Sequence, residues 1–113
     1  MSTDITSQTA RIAALNDALR RTGRGGMTML SAALAAKGPA FVVKAREAVR
    51  TFDGFDGRND PWGEHDCASV DVDGQRVLWK IDAYAPDLQH GSDDPADPER
   101  TRRVMTIMLA ADY

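Results

Sequence analysis

The sequence predicts an α+β domain in which two helical segments pack on a small antiparallel sheet of three to four strands. Three observations predict it: two stretches with apolar residues at helical spacing, an Asp73-Gly74 turn between two alternating runs, and an apolar run near the C-terminus. The expected order is helix, short strand, helix, hairpin and C-terminal strand. At 113 residues the chain has the size of one domain with one core, so residues 1–113 are read as a single domain.

Over residues 5–21, Ile5, Ile12, Leu15 and Leu19 mark one helical stripe, which alanines 13, 14 and 18 widen. Thr3 or Asp4 is placed to cap its start, Arg20 and Arg21 complement the dipole at its end, and Gly23, Gly25 and Gly26 stop it. Residues 27–30 read as a short edge strand, with helix as the alternative. Residues 31–36 read as a short helix broken at Gly38-Pro39. Phe41, Val42, Ala45, Ala48, Val49 and Phe52 then mark an amphipathic helix with Lys44, Arg46, Glu47 and Arg50 outside. Residues 53–63 are too rich in Gly, Pro, Asn and Asp for a regular element and read as a loop.

Asp73-Gly74 supplies the positive φ angles of a type I′ turn and so sets a hairpin register. Val72 falls opposite Gln75, Val70 opposite Val77, Ala68 opposite Trp79 and Asp66 opposite Ile81, a mostly apolar face. The other face pairs Asp71 with Arg76, Ser69 with Leu78, Cys67 with Lys80 and His65 with Asp82. Residues 103–111 are apolar on both sides of the alternation, as expected for an interior strand covered on at least part of both faces.

Composition excludes several classes. One cysteine, Cys67, allows no internal disulfide and fits a reducing, cytoplasmic setting. No apolar run approaches the ~20 residues of a membrane span. The start, Met1-Ser2-Thr3-Asp4, lacks the basic and apolar regions of a signal peptide, so an unexported chain without membrane contact is expected. Zinc finds too few ligands in Cys67, His65 and His90. Magnesium or calcium on Asp93, Asp94 and Asp97 is chemically open, but EF-hand spacing is absent and no metal site is assigned. Gly23-Arg24-Gly25-Gly26 follows a helix instead of linking a strand to one, so no nucleotide cofactor is implied.

The formal charge of -3 joins two unlike halves: residues 1–50 carry 8 Lys/Arg against 3 Asp/Glu, residues 51–113 carry 6 against 14. Residues 82–99 hold Asp82, Asp87, Asp93, Asp94, Asp97 and Glu99 with no Lys or Arg. Such a stretch disfavours direct contact with a nucleic-acid backbone and favours a cation, a protein with a basic surface or the chain's own basic half, unless it is simply solvated. A binding surface of Asp87, Asp93, Asp94, Asp97 and Glu99, with Trp62, is therefore expected. Locally, Asp97 reads as an N-cap with Pro98 in the first helical position and Glu99 beside it. The basic residues Arg20, Arg21, Arg24, Lys37, Lys44, Arg46 and Arg50 lack interleaved aromatics for base stacking and read as a solvated helix face.

Asn59-Asp60-Pro61-Trp62-Gly63-Glu64-His65-Asp66 packs the most chemistry into the fewest residues. As a catalytic set, Glu64 and His65 would act as acid and base, Asp82 would orient the imidazole and Lys80 would stabilise an anion. As a structural set, Asp60 or Asn59 would bond the turn, Pro61 would fix it, Trp62 would plug the core, and His65 and Asp82 would pair across strands. Neighbouring strand residues point to opposite faces, which weakens the Glu64–His65 dyad.

That octapeptide, with Trp79-Lys80-Ile81-Asp82-Ala83-Tyr84, the acidic residues 92–98, and Thr101 followed by Thr106-Ile107-Met108-Leu109-Ala110-Ala111-Asp112-Tyr113, resembles a bacterial domain-of-unknown-function family of short proteins. Its members are frequent on plasmids and integrative elements of alphaproteobacteria. The resemblance runs nearly end to end and takes in Leu15-Asn16-Asp17, Arg20 and Gly25-Gly26. Cys67 stands where an aromatic is usual, and Ala83 where a second tyrosine usually precedes Tyr84. The family has no established activity, so the resemblance carries over no catalytic residue. It implies the company of anti-restriction and transfer genes, and hence a non-enzymatic inhibitor, of anti-restriction or anti-CRISPR type, acting on a defence nuclease or its nucleic-acid-binding subunit. The alternative is a small metal-assisted hydrolase or nuclease built on Glu64, His65, Lys80 and Asp82.

Overall fold

A computed structural model of the chain describes residues 5–113, with side chains from Ser7 onward, so the capping role expected of Thr3 or Asp4 lies outside the described residues. Helix α1 spans Ile5–Thr22, strand β1 Gly26–Leu30, the single turn α2 Ala32–Ala35 and helix α3 Pro39–Thr51. Strands β2 (Cys67–Val72), β3 (Gln75–Tyr84) and β4 (Arg102–Leu109) follow, with 3-10 turns at Pro98–Arg100 and Ala110–Asp112. The α+β class and the element order are those the sequence predicts.

The sheet runs β1-β4-β3-β2, and it is mixed instead of antiparallel. β2, β3 and β4 are antiparallel neighbours, but β1 lies parallel to β4, Met27 beside Val104 and Met29 beside Thr106. The correction has a physical source: a five-residue run carries no local signal of its partner or direction, which the long path through α2, α3 and the hairpin decides. Gly26 is fitted to this pairing, since a Cβ there would lie 2.4 Å from the Arg103 carbonyl oxygen.

Asp73 (φ 50°) and Gly74 (φ 79°) make the expected turn, and β2 and β3 keep the expected register from Val72↔Gln75 to Cys67↔Lys80. The ladder reaches one step further, where the Ile81 amide donates to the Asp66 carbonyl at 2.7 Å. There it ends, because His65 sits at φ 56° and turns out of the strand. The expected His65–Asp82 pair is therefore not formed.

Alternation puts Val70, Val72, Val77, Trp79, Ile81, Met105 and Ile107 on one face, where they pack against Leu19 of α1, Leu34 of α2, and Ala45 and Val49 of α3. Trp79, Leu19, Leu34, Ile107, Val49 and Val77 are fully buried. Each contributes about 1.5–3 kcal/mol by leaving water. β4 is interior, between β1 and β3, and Met108 on its outer face is also buried. Phe52, Phe55 and Trp79 form an edge-to-face aromatic group at the core. Trp62 takes no part in it: the expected core plug is 80% exposed. Among the described residues no helix is long and apolar enough to cross a membrane.

α1 also carries polar groups inward. Asn16 and Arg20 lie four residues apart, on the same side as Ala13, and both are buried. Arg20 Nη1 donates to the carbonyls of Val49 (2.9 Å), Arg50 (3.3 Å) and Phe52 (2.7 Å), so a side chain from α1 satisfies the carbonyls left open where α3 ends.

Candidate functional site

The segment between α3 and β2 is built from turn bonds. Asp56 Oδ1 accepts from the amides of Asn59 and Arg58, which holds its carboxyl below the usual range, and Asn59 donates to the Gly54 carbonyl. Positive φ at Gly63 (71°) and His65 (56°) then folds the segment back onto α1.

His65 ends up between two aspartates. Its Nδ1 is 3.0 Å from Asp17 Oδ2, its Nε2 is 3.6 Å from Asp60 Oδ2, and its amide donates to Asp60 Oδ1 at 3.2 Å. Its ring stacks on Phe55 at 4.0 Å and 4°. Asp17 also accepts from Arg20 Nη2 at 2.7 Å, and the Arg20 guanidinium lies over both Phe55 and Trp79. One residue along, the Glu64 carbonyl accepts from Asn16 Nδ2 at 2.9 Å. Asn16 Oδ1 in turn accepts from Arg103 Nε at 2.8 Å, and Arg103 Nη2 donates to the Pro95 carbonyl.

The four candidate catalytic residues are thus split. Glu64 and His65 sit against α1, on the helix side. Lys80 and Asp82 pair with each other at 3.2 Å and alternate with the core residues Trp79 and Ile81, which puts them on the opposite face. Asp82 raises the Lys80 ammonium through this hydrogen bond and its charge. Both His65 nitrogens face carboxylates, an arrangement that fixes a ring in place and leaves neither nitrogen turned to an outside substrate. Burial, and then Asp66 and Asp60, push the Cys67 thiol up, away from the thiolate a nucleophile requires. Among the described residues no three His, Cys, Asp or Glu side chains are grouped so as to hold a metal ion.

Desolvation, with Asp66 and Asp60 nearby, raises the Glu64 carboxyl, and desolvation raises that of Asp66. A raised carboxyl means the folded chain holds the proton more tightly than the unfolded one, so ionised Asp66 costs stability once pH passes its folded pKa. Asp66→Asn is expected to stabilise the fold at pH 7, by less than about 1 kcal/mol given partial exposure. The gain should vanish below the ordinary aspartate range near pH ~3.9, where both side chains are neutral. Thermal melts at pH 7 and in that acid range check this; an equal gain at both would show that charge is not its cause.

The connection between β3 and β4 carries the expected binding residues and is held by local hydrogen bonds at several points. Tyr84 bridges to Gly91, the Ala85 amide donates to the His90 carbonyl at 2.7 Å, and Ser92 donates to the Ala83 carbonyl at 2.9 Å. Asp87 accepts from the amides of Gln89 and His90 and pairs with the His90 ring at 2.7 Å; the Gln89 amide, then the His90 ring, hold its carboxyl low. Asp94 accepts from the Ala96 amide, and its carbonyl takes the Thr101 hydroxyl. Asp97 caps the Pro98–Arg100 turn by accepting from the Glu99 amide at 2.9 Å, as expected. Asp93 and Glu99 are exposed, and no bond to another described residue engages either carboxylate.

Fold and site together define a two-layer α+β domain: three helices on one face of a mixed four-stranded sheet, with an Asp–His–Asp clamp and an ordered acidic connection. The chain belongs to the family described as protein of unknown function (DUF3768), whose model matches residues 25–112. The match starts after α1, so Asn16, Asp17 and Arg20 lie ahead of it. No curated protein and no solved structure matches the chain significantly.

Proposed function

We propose that this chain is a protein-interaction module, not an enzyme, and that its 85–101 connection is the binding surface for a partner with a basic patch. The observation that carries this reading is the set of hydrogen bonds that holds that connection. A connection this long with only one 3-10 turn and one bridge of its own is usually either disordered or functional. Here backbone and side-chain bonds hold it, and Arg11 and Arg103 tie its middle to the body through the Ala96 and Pro95 carbonyls. A charged surface fixed in advance binds without first losing loop entropy. The resemblance to short plasmid-borne bacterial proteins supports a cytoplasmic partner encoded by the host or the mobile element. A defence nuclease or its nucleic-acid-binding subunit is suited, because its phosphate-binding surface is basic.

Asp93→Lys/Glu99→Lys is the clean test, since Asp87, Asp94 and Asp97 also hold the loop together. In pull-downs from host lysate, the wild type is expected to retain a stoichiometric basic protein at low salt and lose it at high salt. The variant should lose it at both while keeping its melting temperature. Equal recovery by the variant and the wild type would overturn the proposal.

A further inference from the structure

The helix side has an uncovered groove of about 360 Å³ where α1 and α3 leave the β1 edge of the sheet. Its floor is closed by Leu19, Met105 and Ile107, which are almost fully buried, with the half-buried Thr28 beside them. Val43 stands at its lip, 65% exposed on an otherwise charged helix face. The rim is cationic: Arg21 comes from α1, and Arg46 and Arg50 from α3. Only Glu47 opposes them, and it is engaged with Arg50. Arg20 lines the same groove, and its Nε is buried without a hydrogen-bond partner. No residue of the acidic connection takes part.

We propose that this groove docks an acidic amphipathic helix of a partner protein. A groove with guanidinium groups on both walls and the exposed Val43 at its lip matches a helix that sets a short aliphatic patch between carboxylates. Arginine suits this role because its fork takes a carboxylate bidentately. The floor holds no aromatic ring on which a base would stack, which favours a peptide over a nucleic acid. This surface is opposite in charge to the acidic connection, so the two sites recognise different partners.

The test is a titration of the ¹⁵N-labelled full chain with a helix-forming peptide of about 14 residues, leucines on one stripe and glutamates on both flanks. The glutamate peptide should shift the amides of Thr28, Val43 and Arg46, and bind at least about tenfold more tightly than a glutamine-substituted control. Arg21→Glu/Arg46→Glu should abolish the shifts and Val43→Ser should weaken binding; all three positions are exposed, so folding is retained. Asp93→Lys/Glu99→Lys should bind the peptide like wild type, which separates this site from the acidic one. Equal affinity for the control, shifts confined to other residues, or tighter binding of a single-stranded oligonucleotide to the same amides would each overturn the proposal.

Discussion

Arg20→Ala is expected to be the most damaging single truncation in the polar interior, costing roughly 3–5 kcal/mol and lowering the melting temperature by about 12–20 °C. Its guanidinium is fully buried and serves four acceptors at once: the carbonyls of Val49, Arg50 and Phe52, and the carboxylate of Asp17. Removal strands those groups, opens space over Phe55 and Trp79, and leaves Asp17 with His65 alone. Arg20→Lys should recover less than half of the loss, because one ammonium cannot span the end of α3 and Asp17 together. Chemical denaturation followed by circular dichroism measures this; a loss below about 1 kcal/mol would show that Arg20 does not hold α3 to α1.

The second large effect is expected at Arg103, at about 2–4 kcal/mol for Arg103→Ala. It is buried, and desolvation lowers the pKa of its guanidinium from the ordinary value. It joins three parts of the chain: its Nε meets Asn16 of α1, its Nη2 meets the Pro95 carbonyl, and Asn16 in turn holds the Glu64 carbonyl. Arg103→Met keeps most of the volume and should cost less, although the Pro95 carbonyl and Asn16 Oδ1 lose their donor in both variants. Equal stability of Arg103→Ala and wild type would mean that the network does not tie the acidic connection to the body.

What the sequence made legible was local. Asp73-Gly74 carries its own turn geometry, and with it the β2–β3 register; Asp97-Pro98-Glu99 carries its own cap. The strand character of residues 27–30 is readable as one of two options, but the parallel pairing of β1 with β4 is not, because nothing within five residues encodes a partner 77 positions away. For His65 the hairpin register points to Asp82, whereas the side chain meets Asp17 and Asp60. Extending the hairpin ladder past Asp66 assumed extended backbone, and φ 56° at His65 breaks it. Its true partners come from Asp60, five residues earlier, and from Asp17, 48 earlier. One signal for the α1 contribution was present: Asn16 and Arg20 fall on the inner side of an amphipathic helix, a polar pair that needs buried partners. Trp62 misled for the opposite reason, since large aromatic character alone does not place a turn residue in the core.

An acid-bearing connection formed in advance of binding leaves its mark on amide hydrogen exchange of the free protein. The amides of Ala85, Leu88, Ser92, Asp97 and Arg100 donate within that connection or to β3. They are expected to exchange far more slowly than an open chain, approaching the protection of the β3–β4 ladder. Exchange of these amides at open-chain rates, with the ladder still protected, would show that the connection is not formed before a partner binds.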